Sequence, residues 1–363
     1  MNYKYKITLF TPTYNRAYII NTLYDSIKRQ TFRDFEWIIF DDGSTDNTAE
    51  LVNKWKSENN DFPIVFMQGK NGGKCRATNR ALEIAQGEIF FTIDSDDYLT
   101  DDACEKINNW MESIRDLKDF CGIVANRGQT PTETRNTVWR TDPSTPWFNK
   151  PYRDSTFLER YEEATDYPID GERAEVFWTD VFKKYPYPEF EGENFITPCI
   201  PWNRMAHDGY KIRIFEDIIW IWEYLEDGLT VKGANNRFIK NPQGHFLAHK
   251  EKAEFLHYPL KKKLKMYYTF YCDFAEILSK KQIAQYLDAP YWWINFCAFL
   301  HKAKHHRQLS DFVTVRELPV RRATADGGVV IEQPAPVAED APDSAPEHSE
   351  EQEREDCEHG NEN

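Results

Sequence analysis

Four times in the first hundred residues a short apolar run ends abruptly in a polar cluster, and the stretches between carry apolar side chains at helical spacing. The runs at 6–10, Phe35–Phe40, 64–67 and 89–93 are rich in Ile, Val and Phe and predict strands. Ile19, Ile20, Leu23 and Ile27 share one helical face, Leu51, Val52 and Trp55 share another, and residues 75–85 predict a third helix. A β-α-β-α-β-α-β order predicts a mainly parallel α/β sheet, with right-handed crossovers and helices on both faces. The polar clusters Thr11–Arg16 (TPTYNR), Asp41–Ser44 (DDGS), Asn71–Lys74 (NGGK) and Asp94–Asp97 (DSDD) each follow a strand. All four therefore project to the rim where open α/β sheets bind ligands.

The last cluster is the most demanding. Carboxylates this close repel one another and lose hydration unless a cation neutralises them, which points to a divalent metal held by oxygen ligands. The plainer alternative is a polar turn in which Asp97 or Thr100 caps a helix beginning near Asp101. Neither GxxxxGK[ST] nor GxGxxG is present, so a bound phosphate has to be held by a metal and basic side chains.

Composition narrows the setting. From residue 332 onward twelve Asp or Glu stand against one basic residue, Arg354, so that tail carries −11 of the formal −15. The rest is near balance and offers no basic field suited to nucleic acid. Seven scattered cysteines, never spaced as CxxC, predict reduced thiols in a cytoplasmic setting and no zinc site. No segment approaches the ~18 uncharged apolar residues of a spanning helix.

The four clusters, in this order and at these separations, resemble the inverting glycosyltransferases of family two, which have the Rossmann-like GT-A fold. The resemblance is strong over residues 5–110 and weaker over 170–235. It implies transfer of a sugar from a nucleotide sugar, usually a UDP-sugar, to a hydroxyl of a glycan or lipid-linked acceptor, in bacterial cell-surface polysaccharide or glycoconjugate assembly. Thr11, Pro12 and Tyr14 would line the nucleotide pocket, and Asp41 or Asp42 would hydrogen-bond the base. Asn71, Lys74 and Asn79 would sit near ribose and diphosphate. Asp94, Ser95 and Asp96 would form the DxD element, with Asp96 the direct ligand of Mn2+ or Mg2+ and Asp94 contacting ribose or metal-bound water.

The resemblance also implies a catalytic base, the Asp of a Glu-Asp pair about a hundred residues after the DxD. The matching stretch here is Phe190-Glu-Gly-Glu-Asn-Phe195, which places Asn194 where the Asp is expected. An amide cannot serve as a general base. Glu193 is the first substitute and Glu191 the second, with Asp227 of the Glu226-Asp227 pair a further candidate. A protein that binds nucleotide sugars, or acts as a scaffold, and has lost catalysis at Asn194 is the alternative function.

Residues 120–170 show little periodicity, and the resemblance implies loops over the site there; Trp139, Trp147, Tyr152 and Trp178 could stack on a sugar. From Glu251 to Arg307 the pattern turns helical and aromatic. That stretch reads as an extension packed on the catalytic domain, or as a peripheral contact of 251–310 with anionic lipid at the inner face of a membrane. The expected domains are 1–240 for the transferase, 241–318 for the helical extension and 319–363 for a disordered acidic tail.

Overall fold

The computed structural model describes residues 3–222, 234–303, 320–323 and 329–332. Its first part follows the expected alternation: β1 (Tyr5–Thr13), α1 (Asn21–Lys28), β2 (Phe35–Asp41), α2 (Thr48–Ser57), β3 (Ile64–Gln68), α3 (Lys74–Ile84) and β4 (Gly87–Thr92). β1 pairs in parallel with β2 and β4, and β2 with β3, giving the order β3-β2-β1-β4. Thr13 lies opposite Asp41, Asp41 lies opposite Gln68, and the Ile93 N–H donates to the Phe10 carbonyl at 2.8 Å. The four polar loops consequently leave one edge of the sheet.

The chain continues with β5 (Tyr98–Leu99), α4 (Ala103–Glu112), β6 (Phe120–Gly128), β7 (Arg153–Ser155), β8 (Arg173–Trp178), α5 (Thr179–Phe182), α6 (Cys199–His207) and β9 (Lys211–Ile221). β8 inserts antiparallel between β4 and β6, β6 and β9 are parallel, and β5 and β7 each pair antiparallel with β9. Strands β1, β2, β3, β4, β6 and β9 thus run one way and β5, β7 and β8 the other. Successive strand residues face opposite sides. Ile7, Leu9, Trp37 and Ile39 meet α1, α2 and α4, whereas Phe10, Ile38 and Phe40 meet α3 and α6.

β6 is the main departure from the expected loops of 120–170. Eight of its nine residues are buried, because helices or loops cover both faces, and a strand buried on both sides shows no polar alternation to read.

The helical extension comprises α7 (Ala234–Lys240), α8 (Pro242–Phe255), α9 (Leu260–Phe274), α10 (Lys280–Leu287) and α11 (Tyr291–Ala303). Phe246, Phe270, Phe274, Ile283, Leu287 and Ile294 form a core of its own, and α8 packs on α6. Much of the aromatic stripe is therefore internal packing, although Trp292 and Phe299 stay 68% and 67% exposed. No helix among the described residues is long and apolar enough to cross a membrane. The six described cysteines form no disulfide. Within the expected acidic tail, β10 (Val320–Ala323) and β11 (Val329–Glu332) pair antiparallel, and residues 333–363 lie outside the described residues.

Two ion-pair clusters join the extension to the sheet domain. Arg204 on α6 donates to Glu251 on α8 at 2.6 Å. Glu163 accepts from Lys262 Nζ at 2.6 Å and from the Tyr258 hydroxyl at 2.8 Å. Burial pushes the Glu163 carboxyl up, but these donors outweigh it and bring its pKa down to about 2. A carboxylate depressed on folding contributes stability above its unfolded value of about 4.3 and loses it as pH falls through the folded value. Glu163→Gln is accordingly expected to lower Tm at neutral pH and to flatten the fall in Tm between about pH 4.5 and 2, measured by differential scanning calorimetry.

Candidate functional site

The loops at the strand ends are braced by their own carboxylates. Asp41, fully buried, accepts from the Ser44 N–H at 2.9 Å and from Gln68 Nε2 at 3.1 Å. Asp42 accepts from the Gly72 and Gly73 N–H groups at 2.8 and 2.7 Å. Asn15, at φ 52°, links the first loop to the second, accepting from the Thr45 N–H at 2.7 Å. Carboxylates that satisfy buried backbone donors act as turn supports. Both residues, expected to hydrogen-bond the base, thus also hold the loops they sit in. The Thr11 side chain is likewise turned into the core, where its hydroxyl accepts from Trp37 Nε1 at 3.0 Å. Pro12 is half-buried, Tyr14 and Asn71 are exposed on the rim, and Ser95 is buried.

Gly73 has φ +86°, and a Cβ built there would lie 1.7 Å from the Asn194 carbonyl oxygen. Only glycine fits this position. Its close approach lets the 188–196 segment lie against the start of α3.

The centre of charge is the DSDD cluster. Lys74, at the start of α3, pairs with Asp94 Oδ1, and Arg127 Nη1, at the end of β6, lies 3.7 Å from Asp94 Oδ2. Arg16 Nη2 stands 3.8 Å from Asp96 Oδ2. Burial pushes the Asp94 carboxyl up, but Lys74 and Arg127 outweigh it and hold it low, whereas burial and the Asp94 charge raise Asp96. Asp97 is raised further by burial and by both neighbours, and it accepts the Trp220 indole N–H at 2.7 Å. Asp97 therefore neither caps α4 nor faces the rim; it ties the loop to β9. The Arg127 guanidinium lies 3.4 Å over the Trp220 ring, which fixes the cation beside Asp94. Arg127 escaped the sequence reading because β6 did, and the apolar run Phe120–Ala125 was the available signal.

The segment expected to supply a base is arranged differently from expectation. Glu193 is 7% exposed and accepts from the Gln243 N–H at 2.7 Å and the Gly244 N–H at 3.0 Å. Both oxygens thus cap the N-terminus of α8, where backbone donors and the helix dipole favour an anion. In this arrangement Glu193 serves as a cap of α8. Asn194 is exposed, and its backbone N–H donates to Asn241 Oδ1 at 2.8 Å. Glu191 is exposed on the adjoining turn, and Glu226 and Asp227 lie outside the described residues. Asn79 serves this segment as well: its amide exchanges hydrogen bonds with the Tyr187 backbone, both at 2.9 Å.

The aromatic candidates separate by location. Trp178 lies opposite Ile89 near the start of β4, away from the loop edge, and Arg213 stacks 3.8 Å over Tyr152. Trp139 and Trp147 stand together in the insertion between β6 and β8.

The family model described as Glycosyl transferase family 2 matches residues 8–184. Over these residues, which hold the four loops, Arg127 and all of the DSDD cluster, the chain is similar to glycosyl transferase family 2. It is 39% identical over 126 residues to a chondroitin synthase of Pasteurella multocida (strain Pm70), covering 34% of this chain and 12% of that protein. It is 34% identical over 109 residues to a poly(ribitol-phosphate) beta-glucosyltransferase of Bacillus spizizenii, covering 30% and 17%. The chain thus spans a small part of these relatives. The crystal structure of S. aureus TarS 1-349 in complex with UDP-GlcNAc aligns with 90% of this chain and 96% of its own, at 17% identity and a TM-score of 0.48.

The cap predicts a clean separation of stability from chemistry. Glu193→Gln keeps the shape but loses the charge, and is expected to cost about 1 kcal/mol in chemical unfolding. UDP affinity of the folded fraction, read by calorimetry, is expected to stay unchanged.

Proposed function

We propose that the chain binds a nucleotide sugar, a UDP-sugar in particular, and transfers its sugar with inversion to a hydroxyl of a glycan acceptor. The observation that carries this reading is the set of three cations, Lys74, Arg127 and Arg16, around Asp94 and Asp96 at the edge where four loops meet. Ammonium and guanidinium groups suit a diphosphate, and Tyr14 and Asn71 on the rim are placed to contact the nucleoside. The relatives named as polysaccharide and poly(ribitol-phosphate) glycosyltransferases support a glycan acceptor in bacterial surface-polymer assembly.

The residues also fit a divalent cation. Asp94 and Asp96 supply adjacent hard oxygen donors of the kind Mg2+ and Mn2+ prefer, and Asp96 Oδ2 stands 3.8 Å from Arg16 Nη2. Two carboxylates do not complete a coordination shell, so diphosphate and water have to supply the rest. Such an ion stabilises the charge that develops on the leaving diphosphate without a proton transfer. Lys74 and Arg127 orient Asp94 and neutralise the same region from the protein side.

The acceptor hydroxyl needs a base within hydrogen-bond reach. With Glu193 committed to α8, Glu191 is the carboxylate of this segment that we assign to the role, with Asp227 the alternative. A second reading, in which the chain binds donor without transferring it, is favoured by one observation: Asn194, beside Gly73, presents a carboxamide at this part of the rim.

UDP release from UDP-glucose and UDP-N-acetylglucosamine with Mn2+ tests both readings. Asp96→Asn is expected to lower the rate by about 10²-fold or more, and unchanged turnover in excess chelator would remove the metal from the proposal. Glu191→Gln is expected to lower kcat by about 10²-fold with donor KM little altered. If the wild type binds UDP tightly but releases none from either sugar, and Asn194→Asp creates turnover, the binding reading replaces the transfer reading.

A further inference from the structure

A cavity of about 250 Å³ lies in the insertion between β6 and β8, apart from the DSDD cluster. Its aromatic wall is continuous: Trp139 and Trp147 stand edge to face with centroids 6.3 Å apart, and Trp147 and Tyr167 do so at 5.4 Å. Asp142 and Asp166 line the same space, and neither enters an ion pair among the described residues. Arg153 completes the lining; it is 3% exposed and lies 4.1 Å over the Trp147 ring. One of its Nη atoms donates to Glu159 and to the Tyr167 carbonyl, both at 2.8 Å, while its buried Nε has no hydrogen-bond partner. That Nε lies behind the cavity wall, against the Trp147 ring, so what Arg153 offers the cavity is the remainder of its guanidinium.

The chemistry selects the occupant. Aromatic faces pack against the C–H face of a pyranose, carboxylates accept from its hydroxyls, and a guanidinium N–H donates to a ring or hydroxyl oxygen. The two carboxylates without cations disfavour a phosphate or an acidic sugar. The volume is below the ~300–1,000 Å³ of drug-sized sites, which suits a single ring. Arg173 lines the cavity, its carbonyl accepts from Arg127 Nε at 2.8 Å, and Arg127 in turn reaches Asp94. The cavity and the charge centre are therefore linked through two residues.

We propose that this cavity is a subsite for one neutral pyranose unit of a glycan acceptor. The word acceptor rests on the transfer reading above, whereas sugar binding in the cavity does not. The test uses the full chain with methyl β-glucoside, methyl β-galactoside and methyl N-acetyl-β-glucosaminide as probes, followed by tryptophan fluorescence and saturation-transfer NMR, with UDP binding measured in parallel. At least one glycoside is expected to bind. Trp147→Ala and the exposed Asp166→Asn are each expected to weaken it by about tenfold, with UDP affinity unchanged. Absence of binding by all three glycosides, or binding unchanged in both variants, would overturn the subsite. Glycoside binding without UDP binding supports the subsite and removes the donor reading instead.

Discussion

The contact on which the site depends is the pairing of Asp94 with Lys74 and Arg127. It joins three segments distant in sequence: the end of β4, the start of α3 and the end of β6. Asp94 and Lys74 are both partly exposed, so solvent screens their attraction and the pair adds little net stability. The arrangement therefore specifies geometry more than it stabilises. It holds two cations and a carboxylate at the edge of a parallel sheet, and Trp220 beneath Arg127 keeps the guanidinium from turning away. Under the proposed function, a diphosphate would meet groups that are already oriented, so little reorganisation would be required.

Around this centre, other carboxylates are used in a different way. Asp41, Asp42 and Glu193 accept from backbone N–H groups, and each closes a loop or a helix end. Asp94 and Asp96 face cations. The same residue type thus performs two tasks, and what separates them is whether a buried backbone donor lies within reach. Gly73 shows how tightly these supports are fitted, since the missing Cβ is what allows the 188–196 segment to approach α3.

The helical extension obeys a simpler rule. Its aromatic stripe closes on itself to form a core, and its junction with the sheet domain relies on charged contacts at Glu163 and Glu251. Packing and electrostatics divide the work between the interior of the extension and its boundary.

Much of this was legible in the chain. The strand and helix periods over residues 6–93, the shared edge of the four polar loops and the placing of Asp94 and Asp96 on that edge follow from patterns that are local, because side-chain period and turn chemistry are local properties. β6, and with it Arg127, was not legible, since a strand covered on both faces has no alternation. Nor could the sequence show that Glu193 caps α8 or place Trp139 and Trp147 around one cavity. Those outcomes are decided by which backbone donors and rings arrive from residues far along the chain, at 243–244 for Glu193 and at 153 and 167 for the tryptophans. Sequence determined which groups are present and which edge they leave from; tertiary structure decided which remained uncommitted, because hydrogen-bond partners and burial exist only once the distant segments have met.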